Sequence, residues 1–299
     1  MKERTTKMTN IIETKSLTKE YKKDFKLGEL DLAFPKGFAT ALIGANGAGK
    51  TTLMDVLCGI TAKTSGDIKY FGKATDVDDE NVKDRIGYCS SQGLFPPVWT
   101  VKDIISSMSS AFVDFDKDRF MKLLEEMNVD LGKKNKKALY KLSDGNKMRV
   151  YLASVFARKT QLLVLDEPGS SLDPLMRDRL CDRFRDYLDE GDGETSIIFS
   201  THNIADMEYA ADYAIFMDKG KVIEQGFIEQ LKEKYITVSA DAEDKGKIAG
   251  LMLTVHSSRS TVTGLALAEN QNKLTAAGAV CESPSLQQLS VELLKMAEE

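Results

Sequence analysis

An α/β fold built on a mixed, largely parallel sheet is what this 299-residue sequence predicts, and three observations carry the prediction. Leu162-Leu163-Val164-Leu165 is a short, wholly apolar run, as expected of a strand buried on both faces of a parallel sheet, and Ser196–Ser200 and Tyr213–Met217 share its character. Between residues 101 and 158 the apolar positions recur at helical spacing instead: Ile104, Ile105 and Met108; Phe120, Leu123 and Leu124; Val150, Leu152, Val155 and Phe156. A glycine-rich loop at residues 44–52 stands between the apolar run Ala39–Ile43 and a helical pattern, the strand–loop–helix order of an α/β unit.

The elements follow in order. Residues 11–25 read as strand and turn, and Leu30–Phe34 as a second strand ended by Pro35 and Gly37, together the start of an antiparallel β subdomain. After the glycine-rich loop, Leu53, Met54, Leu57 and Ile60 fall on one helix face. Ile68–Phe71 and Ile86–Cys89 read as strands before the helical stretch. Beyond Gly226 the character changes: Ile236–Ala240 and Met252–Val255 look like strands, separated by mixed sequence from a closing helix. That helix follows Pro284 and a possible capping box from Ser285 to Gln288, and carries Leu286, Leu289, Leu293 and Met296 as one apolar stripe. The stripe is expected to pack on its own chain, with a subunit contact as the alternative. The expected organisation is a nucleotide-binding core over residues 11–226, a helical subdomain inserted at about 93–158, and a small C-terminal α+β extension over 227–299.

Composition narrows the partners. Hydrophobic content of 42% with 29% charged residues fits a globular domain, and the net charge of −5 offers no general attraction for nucleic acid or anionic lipid. Lys133, Lys134, Lys136 and Lys137 form the one basic cluster, best read as a solvated loop. Cys58, Cys89, Cys181 and Cys281 are scattered without a C-x-x-C pair, which argues against a zinc site or disulfide framework and suits a reducing compartment. No run approaches the ~18 apolar residues of a membrane span, and Met1-Lys2-Glu3-Arg4 has no apolar stretch behind it to read as a secretory signal.

Chemistry begins in the loop. Gly44-Ala45-Asn46-Gly47-Ala48-Gly49-Lys50-Thr51-Thr52 fits G-x-x-x-x-G-K-[ST] in the strand-to-helix setting that makes the pattern meaningful. Glycines let backbone N–H groups around Asn46, Gly47 and Gly49 turn toward phosphate oxygens, and the helix N-terminus beyond Thr52 adds positive potential. Lys50 would reach the β- and γ-phosphates, and the Thr51 hydroxyl would hold Mg²⁺. The chain is therefore expected to bind a nucleoside triphosphate: this is a P-loop core. Downstream, Leu163–Pro168 is an apolar strand ending in two carboxylates. Asp166 suits Mg²⁺, and Glu167 suits the general base that polarises the attacking water, a factor of ~10²–10⁴.

Further motifs give the loop a family. Leu142-Ser143-Asp144-Gly145-Asn146 lies directly before a helix expected to start near Lys147, between the helical stretch and the twin acids, where it resembles the L-S-G-G-Q signature of ATP-binding-cassette (ABC) proteins; Ser143 and Gly145 match, while Asp144 and Asn146 replace the usual glycine and glutamine. Ser91-Gln92-Gly93 resembles the family's glutamine loop, Ser170-Ser171-Leu172-Asp173 its D-loop, and Ser200-Thr201-His202 its switch histidine. Tyr21 lies about where the family stacks an aromatic on adenine, with Phe25 as competitor. The likeness spans residues 12–225. It implies an ATPase using ATP and Mg²⁺, in which two cassettes meet head to tail around two nucleotides. Each site would take Lys50, Asp166, Glu167 and His202 from one subunit and Ser143 and Gly145 from the other, with Gln92 reporting the metal and Asp173 crossing between subunits. Asp144, which would be repelled by ~1–4 kcal/mol at 4 Å from a phosphate, is expected to point away.

The resemblance also suggests a job. One cassette with no span implies a separate transmembrane permease and a place on the cytoplasmic face of the cell membrane. Leu94 to Asp103 lies where family members dock the permease; Trp99 there would serve as partner anchor or be buried in the helical subdomain. The layout is similar to bacterial ABC-2-type exporters, especially those handling antimicrobial peptides and phenol-soluble-modulin-type toxins. The alternatives are a catalytically weak regulatory cassette paired with an active partner, and a soluble cassette acting on ribosomes or DNA, which the acidic charge disfavours.

Overall fold

In a computed structural model, residues 9–21, 25–73, 79–132, 136–202 and 204–298 are described; Met1–Arg4, Lys133 and Lys134 lie outside them. Strands β1 (Asn10–Tyr21) and β2 (Phe25–Pro35) pair antiparallel; β3 (Ala39–Ile43) leads through the glycine-rich loop to α1 (Lys50–Leu57), and β4 (Ser65–Tyr70) returns beside β1. Next come α2 (Glu80–Lys83), β5 (Ile86–Cys89) and three helices, α3 (Val101–Ala111), α4 (Lys117–Glu126) and α5 (Asp144–Phe156). β6 (Leu162–Leu165), α6 (Pro174–Glu190), β7 (Ser196–Thr201), β8 (Tyr213–Asp218) and β9 (Lys221–Phe227) complete a six-stranded sheet ordered β5-β6-β7-β3-β8-β9. All its pairs are parallel except β8–β9.

Strand periodicity decides what covers each face. Alternate residues of the central strands point to opposite layers. Leu162, Val164, Ile198, Ile215 and Met217 pack with α1 and the three-stranded sheet β2-β1-β4, whereas Leu163, Leu165, Ile197, Phe199, Ala214 and Phe216 pack with the helical layer. Both faces are dry, which is why these strands read as continuous apolar runs. Each fully buried Leu or Ile contributes ~1.5–3 kcal/mol. The helices start where the sequence supplies acceptors: Asp116 takes the N–H groups of Asp118 and Arg119, Ser143 that of Asn146, and Asp173 that of Met176.

The chain continues through α7 (Ile228–Lys234), β10 (Tyr235–Asp241), α8 (Lys245–Ile248), β11 (His256–Ser257), β12 (Thr261–Leu267), α9 (Gln271–Ala276), β13 (Val280–Glu282) and α10 (Leu286–Glu298). The four strands form an antiparallel sheet, β11-β12-β10-β13, whose Ile236, Val238, Val262 and Ala266 make a small core with Ile248 and Leu274. α10 spans that unit and the large core, with Glu292 2.7 Å from His256. Its capping box forms, with Ser285 N–H donating to Gln288 Oε1 at 2.9 Å and Gln288 N–H to Ser285 Oγ at 3.1 Å. Leu286, Leu289 and Leu293 are buried in the large core, with Met296 packed against it. The stripe packs on its own chain.

Three local expectations need correction. Ile60 is 65% exposed beyond the end of α1, because Gly59 takes a positive φ and turns the chain away. Met252–Val255 forms no strand: the Leu253 and Thr254 N–H groups both reach Leu265 O, and the Thr254 hydroxyl takes the Leu265 N–H, so a side chain replaces the ladder. The helix placed near Lys147 begins at Asp144, so Asp144 and Gly145 lie in its first turn. Among the described residues, no helix is long and apolar enough to cross a membrane.

Candidate active site

Register brings the site together. Leu165 pairs with Phe199 and with Cys89, and Ile43 pairs with Thr201, so the residues that follow β3, β5, β6 and β7 emerge at one carboxyl edge of the sheet. Ligands of open α/β sheets bind at that edge.

The phosphate loop is shaped by contacts that exclude side chains. A Cβ on Gly44 would stand 2.3 Å from Met217 O, and Gly49, with φ 103, serves as N-cap of α1 while no side chain caps that helix. Its first-turn N–H groups therefore point into the loop, ready for an anion. Asn46, Gly47, Gly49, Lys50, Thr51 and Thr52 line a cavity of about 390 Å³ together with Phe25, Ser91 and Glu167. Lys50 is buried; its Nζ donates to Gly44 O at 2.7 Å and Ala45 O at 3.1 Å and stands 3.7 Å from Glu167. Burial pulls its pKa below the ordinary value, against the pull of Glu167 and Asp166.

The twin acids do different work. Asp166 is 1% exposed and accepts three hydroxyls: Ser91 at 2.7 Å, Ser200 at 2.7 Å and Thr51 at 3.0 Å. Glu167 has φ 49, and its N–H donates to the same Ser200 Oγ at 2.8 Å. A non-glycine residue held in that region carries of order 1–3 kcal/mol of strain. The consequence is aim: Oε1 faces Lys50, and Oε2 lies 2.8 Å from His202 Nδ1. A carboxylate thus sits between an ammonium and an imidazole at the mouth of the loop, beside an all-oxygen cluster.

The other candidates lie elsewhere. Gln92 is exposed and lines a separate groove with Asp144, Lys147, Ser170 and Ser171; its neighbour Ser91 is the residue that reaches Asp166. Ser143 caps α5, and Gly145 has no room for a Cβ, which would stand 2.7 Å from Ser171 O. Neither lines the phosphate cavity. Asp144 turns outward, 86% exposed and 2.8 Å from Lys147. Asp173 caps α6 and pairs with Arg149 at 2.9 Å. Tyr21 is 42% exposed at the end of β1, whereas Phe25 lies against the loop, its Cζ 2.8 Å from where a Gly49 Cβ would be. Trp99 is half-buried and stacks on Phe95 at 6.0 Å, leaving Val98 at 71% exposure as the apolar tip. Ser200 and Ser91 carry no linear signal as Asp166 partners: the register of β5, β6 and β7 is what brings the three residues together.

Comparisons with known proteins place the chain among its relatives. A family model described as "ABC transporter" matches residues 27–170. The lantibiotic transport ATP-binding protein SrtF of Streptococcus pyogenes is 31% identical over 215 residues, 71% of this chain and 89% of that protein. The bacitracin transport ATP-binding protein BcrA of Enterococcus faecalis is 29% identical over 248 residues, 82% of this chain and 79% of its own. Among solved structures, a dimeric ATP-binding cassette in a post-hydrolysis state with ADP and Pi superimposes with a TM-score of 0.63 at 20% identity, covering 73% of this chain and 98% of that one. That likeness speaks for the fold.

Proposed function

This chain belongs to the ABC transporter ATP-binding family, and from that premise we propose that it hydrolyses ATP as a head-to-tail pair of cassettes beneath a separate permease at the cytoplasmic membrane face. The observation that carries the pairing is the split of the candidate residues. Lys50, Thr51, Asp166, Glu167 and His202 converge in one chain, while Ser143 and Gly145 open α5 away from the phosphate cavity. A second copy would bring that helix N-terminus, with its N–H donors, to the γ-phosphate.

The Asp166–Thr51–Ser91 cluster, all hard oxygen donors, fits Mg²⁺, which when bound supplies charge neutralisation on the phosphate oxygens. The loop N–H groups and Lys50 bind and orient the triphosphate. Glu167 accepts the proton of the attacking water at its carboxylate, and His202, bonded to Glu167, orients the γ-phosphate. Phe25 supplies the nearer aromatic surface for the base, Tyr21 the outer one. Gln92, on the groove shared with Asp144 and Ser170, links the nucleotide edge to the permease-facing surface around Val98. Residues 11–226 form the ATPase unit and 227–299 an accessory one.

SrtF and BcrA are named for transport of a lantibiotic and of bacitracin, which favours peptide antibiotics or toxins as cargo here. Affinity purification from the native membrane tests the assignment: a polytopic membrane protein is expected to co-purify and to raise the ATPase rate. A rate indifferent to any membrane partner would contradict it.

A further inference from the structure

Glu208, six residues past His202, joins the nucleotide edge to the C-terminal unit. Its Oε1 accepts from Lys232 Nζ on α7 at 2.6 Å and from the backbone N–H of Leu286, the first residue of α10, at 3.1 Å. Both bonds are charge-assisted, one at a helix N-terminus, and the carboxylate is largely buried. Around it, Ile204, Met207 and Ala210 are buried in one apolar cluster with Ile228 and Leu231 of α7 and Leu286, Leu289 and Leu293 of α10. Met207 also faces the other way. It lines a small cavity with Glu167, Gly169, Arg177 and His202, and a Cβ on Gly169 would stand only 3.1 Å from its Sδ. One short segment therefore touches the hydrolytic edge on one side and the C-terminal helices on the other.

We infer that Glu208 is a positioning residue for hydrolysis, through which α7 and α10 hold the segment after His202, so that the C-terminal unit sets the turnover rate. The inference rests on His202 acting at the γ-phosphate, as proposed above. Glutamine at 208 keeps an acceptor for both donors; alanine leaves the Leu286 N–H and Lys232 without one.

The test is steady-state ATP hydrolysis by the full chain, normalised to nucleotide-binding sites. Glu208→Ala is expected to lower kcat by about threefold or more with KM for ATP unchanged, and Glu208→Gln to keep at least about half the wild-type kcat. In Glu208→Ala, amide exchange should rise at residues 204–210 and stay as it is in β7. A purely structural loss would reduce the number of binding sites and leave kcat per site intact. Wild-type kcat per site in Glu208→Ala, with His202→Ala slow, overturns the inference alone; wild-type kcat in His202→Ala overturns the reading beneath it as well. Should Glu208→Ala fail to fold, Lys232→Met keeps the Leu286 bond and is expected to lose part of the rate, and full retention would overturn the inference.

Discussion

Asp166 carries three hydroxyl donors, and one of them, Ser200, also takes the Glu167 N–H. The two acids are therefore coupled through a single serine. Because that tie is made by the Glu167 backbone, Glu167→Gln leaves it in place: kcat is expected to fall by ~10²–10⁴ while ATP binding persists, since the amide keeps the shape and loses the base. Retained turnover, measured by phosphate release, would remove Glu167 from the role. Asp144 makes the opposite case. Its carboxylate is 86% exposed and held by Lys147, whose hydrogen bond and charge lower its pKa. Asp144→Gly is accordingly expected to change kcat by less than about threefold; a large gain would mean that the carboxylate opposes the triphosphate after all. At this scale the sequence displayed the types and spacing of Lys50, Thr51, Asp166, Glu167 and His202 directly. Ser91 and Ser200 stayed hidden because their role depends on register across strands, which one chain read linearly does not display.

Among elements, the central strands were legible because burial on both faces leaves unbroken apolar runs, and α10 because its capping residues and stripe coincide. Where a side chain stood in for backbone, as Thr254 does beside Leu265, hydrophobicity alone misread the segment. α10 should be a strong contributor to stability: Leu289→Ala is expected to cost ~2–5 kcal/mol in denaturant unfolding, and a cost near zero would place the helix off the core. Its Glu292 adds a pH dependence. Burial alone would raise this carboxyl, but hydrogen bonds from Thr254, His256 and Lys295 outweigh it and hold the pKa below the ordinary 4.5. A depressed carboxyl stabilises the fold above its unfolded pKa, and that contribution fades as pH falls through the folded value. Glu292→Gln should therefore be less stable than wild type at neutral pH, with the gap closing only as pH falls below the ordinary 4.5 and through the lower folded value. A gap that persists undiminished in acid would assign the loss to packing.

For the whole molecule, the sheet edge gathers the glycine-rich loop, the Asp166 hydroxyl cluster and the Glu167 carboxylate, while Ser143 and Gly145 at the start of α5 stay off that cavity. The sequence order of motifs anticipated that division, yet only the fold displays its geometry: the phosphate cavity lacks Ser143 and Gly145 among its walls. The C-terminal unit was legible only as strands and a helix; its tie to the segment after His202 runs through Glu208, a residue no motif singles out. The central claim is that two copies complete each ATP site. Sizing of Glu167→Gln with ATP and Mg²⁺ tests it most directly, since slow hydrolysis should hold the sandwich closed. A dimer with ATP that reverts to monomer with ADP is the predicted result; a monomer under both nucleotides would contradict the account.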